Sequence, residues 1–396
     1  MSITNSIRCL TLPFLLAGAL SAADGVAPGL NQFATNIYRD LARARGNLVF
    51  SPFSISTALS MAFEGARGTT ADEMAAVLHR MQQDKAYSSE VATLVDQLVK
   101  NANTGGNQLL NANGLWLQRG FPILSDFKQT LQNQYRAPLS ELDFASNPEQ
   151  ARAAINSWTE QQTKGRIREL FAPGSLNGSN RLVLTSAIYF LGKWQLPFAP
   201  KSTHPAQFRS NTGSVQADFM HQTGTFGYGE TPTAQILEMK YAGTPMVMDI
   251  VLPKSDNGIA DLDGAINPAE LATWLGSVSS RSVEVSLPKF RAESEFSLKD
   301  ALSRMGMSTA FSAQADFSGI DGRKDLMLST VRHKAFVDVS EEGTEAAAAT
   351  GIGVALVSMP VTPRTIFRAD HPFLFLIRDT HSRAILFAGR LVNPKA

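Results

Sequence analysis

Glu341-Glu342-Gly343-Thr344-Glu345-Ala346-Ala347-Ala348-Ala349-Thr350-Gly351-Ile352-Gly353-Val354-Ala355-Leu356-Val357-Ser358-Met359-Pro360 asks for two structures at once. Four alanines after glutamates favour a helix. Gly351 and Gly353, with β-branched Ile352 and Val354, break it and favour an extended chain. Laid out as a strand, the side chains alternate between faces. Thr344, Ala346, Ala348, Thr350, Ile352 and Val354 then share one face without a charge. Glu345, Ala347, Ala349, Gly351 and Gly353 share the other. Such a segment can enter a sheet without burying a charge, and its residues are small enough not to jam on the way in.

The flanks decide between the two. Alone, the alanine run reads as a short surface helix from Glu345 to Thr350 that Gly351 ends. Upstream, however, Ala335-Phe336-Val337-Asp338-Val339 alternates like a strand, and beyond Pro360 and Pro363 come the apolar runs Phe373 to Ile377 and Ala384 to Leu391. A loop of roughly twenty residues joining two parts of a packed β structure is uncommon and usually functional.

The chain has 396 residues, 18% of them charged, and a formal net charge of +1. That neutrality argues against nucleic acid as an obligate partner. Residues Met1 to Ala23 differ from the rest: Arg8, then the short apolar core Cys9 to Leu20, then Ser21-Ala22-Ala23 before Asp24. This reads as a secretory signal peptide, with a core too short to span a bilayer. Secretion to an extracellular or periplasmic compartment is therefore expected, with one domain over residues 27–396. Cys9 is the sole cysteine, so the exported chain would hold no disulfide and would depend on a large core. Asn177-Gly178-Ser179 is a formal glycosylation sequon.

After a short linker, Leu30, Phe33, Ile37 and Leu41 recur at helical spacing. A nearly all-apolar helix follows Ser51-Pro52, and Thr70-Ala71-Asp72-Glu73 has the form of a capping box. Ser88 to Lys100 is helical with no basic face. Asn147-Pro148 starts a helix through Trp158 that stops at Gly165. Strands are expected at Leu109 to Leu117, Arg181 to Phe190 (the central candidate), Gln235 to Leu252, Val283 to Phe290 and Leu326 to Val339, with a helix from Ser297 to Met305. Helices early and strands late indicate an α+β domain.

Nothing in the residues points to an enzyme. Elbow, zinc-helix and phosphate-loop motifs are missing, the cysteine nucleophile is missing, and the six histidines lack metal-ligand spacing. Neither metal nor cofactor is expected. Ser329 near His333 is a chance neighbour, since a catalytic triad is defined by geometry.

These residues together resemble the serpin family. The hinge Glu341-Glu342-Gly343-Thr344-Glu345-Ala346-Ala347-Ala348-Ala349-Thr350 matches the family's inhibitory hinge position by position. His371 to Arg378 and Phe387 to Pro394 match its C-terminal signature. Asn47 to Leu78, Ile155 to Gly165 and Leu184 to Phe198 follow the family's order, so the resemblance covers about Leu30 to Asn393. It implies a large central sheet with additional sheets, eight or nine helices, and an exposed reactive-centre loop near the C-terminus.

The resemblance also implies a mechanism. A target serine protease attacks the loop, and the cleaved loop inserts into the main sheet before the acyl-enzyme is hydrolysed. Counting from Glu341 along the family pattern puts the reactive bond at Val357–Ser358, with Leu356–Val357 as the alternative. Val354, Ala355, Leu356 and Met359 would then set specificity, and small apolar residues suit an elastase- or chymotrypsin-like protease held in a covalent complex. Trp194 would mark the breach where insertion begins. Ser51, Ser54, Ser186 and His333 would form the shutter beneath it, with Ser186 standing where the family usually has asparagine. Serine has fewer hydrogen-bonding groups, so a changed shutter network is expected. The implied protein is a monomer able to polymerise by loop–sheet linkage, with no membrane or nucleic-acid partner and little response to heparin. The alternative is a non-inhibitory serpin serving as carrier or chaperone.

Overall fold

The computed structural model describes residues 22–80, 85–137, 139–210, 213–344 and 365–395. Within them lie ten α-helices and fifteen strands in two sheets. The resemblance implied eight or nine helices; single turns such as Ser318–Asp321 make up the excess.

The candidate site lies in the smaller sheet. Its six strands run in the order Phe290–Ser297, Leu328–Val339, Gly343–Thr344, Leu182–Lys193, Gln108–Gln118, Leu139–Leu142. Leu182–Lys193, the expected central strand, is buried along nearly its whole length. Its apolar character on both faces follows from being covered twice. On one side Val183 and Ala187 pack with Ile155 of helix Pro148–Gln162 and with Phe171. On the other, Leu182 and Leu184 join the core that contains Ile55, Leu59 and Phe63 of helix Pro52–Phe63.

Leu182–Lys193 and Leu328–Val339 run parallel and pair directly from Leu182 with Leu328 up to Tyr189 with Phe336. Above that point they part. Gly343–Thr344 enters the gap, antiparallel to both: Thr344 pairs with Val339 on one side and Gly192 on the other.

The larger sheet has nine strands, among them the hairpin Ala234–Lys240 and Met246–Pro253 and the C-terminal pair Phe373–Asp379 and Ile385–Leu391. The long strand Gly213–Glu230 and its neighbour Thr203–Ser210 were not legible as strands. The strand that follows the loop, Thr365–Arg368, lies at this sheet's edge beside Ser279–Pro288.

Three local expectations fail. The residues read as a linker are helical: the first helix runs Ala22–Leu41 through Pro28, because Val26, Ala27 and Leu30 bury against Val91, Leu94 and Leu98 of helix Lys85–Ala102. The capping box is not one. The helix starts at Gly68 with no side-chain cap, Thr70 Oγ1 accepts from the Asp316 amide at 2.9 Å, and Glu73 takes the Thr309 amide and hydroxyl at 2.8 and 2.6 Å. At the Asn147 cap position the side chain does not cap either.

Candidate functional site: the seam of the six-stranded sheet

The lower part of the seam brings all four predicted shutter residues together. Ser51 caps helix Pro52–Phe63, its Oγ accepting from the Ser54 amide at 3.1 Å and donating to the Leu386 carbonyl at 2.5 Å. That cap holds Ser54 under the sheet. In the sheet, parallel register sets His333 beside Ser186, and antiparallel register sets Asn113 on the other side of Ser186.

The protons in this cluster can be assigned from the backbone. The Ser51 amide donates to His333 Nε2 at 3.0 Å, so Nε2 is the acceptor nitrogen and the ring proton sits on Nδ1. Nδ1 lies 2.9 Å from both the Ser186 carbonyl and hydroxyl oxygens. The Ser186 hydroxyl is then free to donate to Ser54 Oγ at 2.8 Å, and Ser54 to Asn113 Oδ1 at 2.8 Å. Asn113 Nδ2 closes the ring on the Ser54 carbonyl at 3.1 Å, and Asn111 Oδ1 lies 3.2 Å from Ser54 Oγ. Complete burial, only partly offset by the Ser186 carbonyl, pulls the His333 pKa down to about 3. The imidazole is neutral.

Sequence reading missed Asn111 and Asn113. Their signal was two asparagines at period two in an otherwise apolar strand, which puts both on one face. They supply amide groups on the strand next to Ser186, so the expected change in the network takes the form of a displaced amide. The Ser186–His333 pair is no nucleophile and base. Both residues are fully buried, and a backbone amide occupies the nitrogen where a triad needs its carboxylate. Ser329 does not join it; its Oγ accepts from the Arg181 amide at 2.8 Å.

The upper part of the seam is built around Trp194. Its amide donates to the Glu342 carbonyl at 2.9 Å and its Nε1 to the Ser340 carbonyl at 3.0 Å. The indole stacks on Tyr241 with centroids 4.6 Å apart and planes 14° off parallel. The Tyr241 hydroxyl is 2.7 Å from Thr344 Oγ1. Gly343 is required here, because a β-carbon would run into the Gly192 carbonyl; one on Gly192 would strike the Tyr241 ring. Glu341 is tied separately, accepting from Thr203 Oγ1 at 2.9 Å and meeting Lys289 Nζ at 3.0 Å. Partial burial opposes its ionisation, but Lys289 and the Thr203 hydroxyl outweigh that and hold its pKa below the usual value.

One expectation is corrected. As the first residue of the uncharged inward face, Thr344 is expected to be the first to enter the sheet, giving up water on insertion and not in the exposed-loop state. Thr344 is 0% exposed and already paired on both sides. The physical reason is the hydroxyl of Tyr241, which gives Thr344 a partner in the gap. The hinge residues Glu345, Ala346, Ala347, Ala348, Ala349 and Thr350, the specificity residues Val354, Ala355, Leu356 and Met359, and the reactive bond Val357–Ser358 lie outside the described residues.

Among the described residues no group of three or more His, Cys, Asp or Glu side chains could hold a metal ion. None of the described helices is long and apolar enough to cross a membrane.

The chain is similar to known proteins over nearly its whole length. The family model for Serpin (serine protease inhibitor) matches residues 28–394. A serpin-like protein of Thermococcus kodakarensis is 40% identical over 93% of this chain and 86% of its own length. The leukocyte elastase inhibitor of Bos taurus is 39% identical over 92% of this chain and 98% of its own. Among solved structures, uncleaved ovalbumin matches with a TM-score of 0.84 at 30% identity, over 93% of this chain and all of that one. Human thyroxine-binding globulin, in complex with its hormone, matches with 0.85 at 28% identity, over 94% and 99%. With a family match over nearly its whole length and a seam of this geometry, the chain belongs to the serpin family, a family of serine protease inhibitors and not of enzymes.

Proposed function

We propose that this chain is a secreted suicide-substrate inhibitor of an elastase-like serine protease, cleaved at Val357–Ser358, that traps its target by inserting the cleaved loop between Leu182–Lys193 and Leu328–Val339. Residues 1–23 are its export signal, and residues 27–396 are the inhibitor.

The observation that carries the reading is the antiparallel entry of Gly343–Thr344 between two strands that are parallel to each other. A strand continuing down the seam replaces one parallel pairing with two antiparallel ones. Antiparallel ladders are slightly more stable per residue, and the new strand adds a full set of bonds. Uncharged residues at Ala346, Ala348, Thr350, Ile352 and Val354 suit the inward face. About 15 residues at ~3.3 Å each span about 50 Å, enough to carry a tethered protease from one end of the sheet to the other. Insertion of a reactive loop as a strand is the mode serpins exemplify. Elastase as the target rests on the small apolar residues before the bond and on the names of similar inhibitors.

The carrier reading has support in the likeness to a hormone-binding globulin. A denaturing gel after mixing with pancreatic elastase separates the two. A covalent band supports trapping; complete cleavage without a band supports the carrier and overturns the proposal. Trypsin should be inhibited more slowly, and a faster rate with trypsin would move the reactive bond. Amino-terminal sequencing of exported protein tests the signal: a start at Asp24 is expected, and retention of Met1 would overturn it.

A further inference from the structure

Asparagine followed by glycine can react with its own chain, because glycine has no side chain to keep the backbone nitrogen away from the asparagine amide carbon. The sequence holds this dipeptide three times, at Asn113-Gly114, Asn177-Gly178 and Asn257-Gly258. The fold treats the three differently. Asn113 is buried in the seam, its Nδ2 on the Ser54 carbonyl at 3.1 Å and its Oδ1 accepting from the Ser54 hydroxyl at 2.8 Å. Gly114 lies in a strand paired with Leu182–Lys193. Water and movement are both shut out there. Asn257 is exposed, but Gly258 is buried and its amide donates to the Ser255 carbonyl at 2.9 Å. The Gly258 carbonyl takes the Asp261 and Leu262 amides at the start of helix Ile259–Ala265, so its nitrogen is held in place.

Asn177-Gly178 is built the other way. Both residues are exposed, in a turn closed by the Asn180 amide on the Asn177 carbonyl at 3.1 Å. Among the described residues no hydrogen bond engages the Gly178 amide or Asn177 Nδ2. Asn177 Oδ1 accepts twice, from the Ser179 amide at 2.9 Å and from the Ser179 hydroxyl at 2.5 Å. A backbone amide can only donate, which fixes the oxygen of the side-chain amide in that place. Two donors are thus aimed at the atom on which negative charge develops when Cγ is attacked, the arrangement that stabilises a tetrahedral intermediate. Arg181 Nη1, on the Gly178 carbonyl at 2.9 Å, sets a positive charge beside the nitrogen that must lose its proton.

We propose that Asn177 is a self-modification site, at which the folded chain converts its own asparagine to aspartate and isoaspartate with Ser179 as the oxyanion donor. The Gly178 nitrogen gives its proton to hydroxide and bonds to Asn177 Cγ. The oxyanion on Oδ1 then collapses, the Cγ–Nδ2 bond breaks, and Nδ2 takes a proton from water and leaves as ammonia. A second water opens the cyclic imide. Opening at Cγ yields aspartate; opening at the Asn177 backbone carbonyl yields isoaspartate.

Either product puts a carboxylate where a neutral amide stood, four residues before Arg181 and the entry to strand Leu182–Lys193. Isoaspartate also lengthens the main chain inside the Asn177–Asn180 turn. Attachment of a glycan to the Asn177-Gly178-Ser179 sequon uses the same Nδ2. One chain therefore cannot carry both modifications.

The test uses the full chain, produced in a host that does not glycosylate and incubated folded in neutral and in mildly alkaline buffer. Mass spectrometry of tryptic peptides reads the change from amide to acid. Conversion is expected in the peptide from Glu169 to Arg181, at Asn177, and faster at the higher pH. Asn113 and Asn257 in the same sample should lag by about tenfold or more, since they react only through local opening. In urea all three should converge. Ser179→Ala should slow Asn177 by about threefold, less than the loss of a buried oxyanion donor, because water can replace an exposed hydroxyl. Ser179 is exposed, and unchanged melting of the variant checks that the fold is intact. An unconverted Asn177 in the folded chain, equal conversion at Asn257, or an unchanged rate in Ser179→Ala overturns the proposal.

Discussion

The two ends of one seam are closed by different chemistry. Below, Leu182–Lys193 and Leu328–Val339 touch, and a chain of neutral donors and acceptors from Ser51 to Asn113 sews them to the helix beneath. Above, the strands have parted, and the gap is held by a stacked Trp194–Tyr241 pair, a two-residue wedge and one ion pair. The lower closure is dry and depends on the exact protonation of one imidazole. The upper closure is equally buried at Thr344, Tyr241 and Trp194 and reaches solvent only at its ion pair, where Lys289 is 39% exposed. On the proposed mechanism, an entering strand starts at the wedge and must part the bonded chain below it.

The largest expected break is Thr344→Arg. In the inserted state an arginine here would be a buried charge without a partner, costing several kcal/mol. In the uncleaved state the wedge is two residues long, so its displacement by an arginine would lose the Tyr241 hydrogen bond and a short stretch of pairing, about 1–2 kcal/mol. The melting midpoint should therefore fall modestly, while the moles of inhibitor consumed per mole of elastase silenced should rise several-fold, an effect on the order of the larger cost. Glu345→Arg, on the opposite face by sequence alternation, should change that ratio far less. Equal trapping by Thr344→Arg and wild type would mean that this wedge does not lead insertion.

Acid should break the lower end selectively. Unfolded His333 titrates near its ordinary 6.5 and folded His333 near 3. The unfolded chain takes up the proton first, so the contribution is intact above about pH 6.5 and is lost as pH falls toward 3. The loss reaches about 2–3 kcal/mol by about pH 4.5. Buried Asp249 works in the opposite sense: burial, opposed by Arg378, lifts its pKa to about 6, so it gains stability on acidification. Denaturant melts of wild type and His333→Gln across this range isolate the histidine. Parallel pH curves for the two proteins would remove His333 from the closure.

The smallest effect is expected from Glu341→Lys, which sets like charges together at the upper end. Lys289 is 39% exposed, so solvent screens the pair and the change is about 1 kcal/mol or less. Melts at low and high salt should converge as screening grows. A salt-dependent loss larger than that of Thr344→Arg would show that the ion pair, and not the aromatic stack, holds the upper end; a salt-independent one would point to the Thr203 hydrogen bond instead.

Much of this was legible in the chain. Apolar runs at 182–190 and 328–339, the alternation of the loop and the tail after Pro363 are local patterns, set by which residues can share a face of a strand. The cap at Ser51 is seen only in the structure, and its meeting with Ser186 and His333 was implied by the family resemblance. Thr344 is legible as the start of the uncharged face, and its pairing on both sides is not. Nothing near it in sequence discloses that Tyr241, 103 positions away, holds a hydroxyl in the gap.

What the sequence determined alone is therefore the order of elements, the uncharged inward face of the loop and the family those residues resemble, because hydrophobic periodicity and turn chemistry act over a few residues. Only the tertiary structure decided that Asn113 stands beside Ser186, that Glu341 meets Thr203 and Lys289, that Thr70 and Glu73 hold other segments instead of capping their helix, and that Arg304 joins Arg43 on the carboxylate of Asp40. Each of these is a hydrogen bond or ion pair between distant positions. Its partners are chosen by register and packing, which exist only once the sheet has closed.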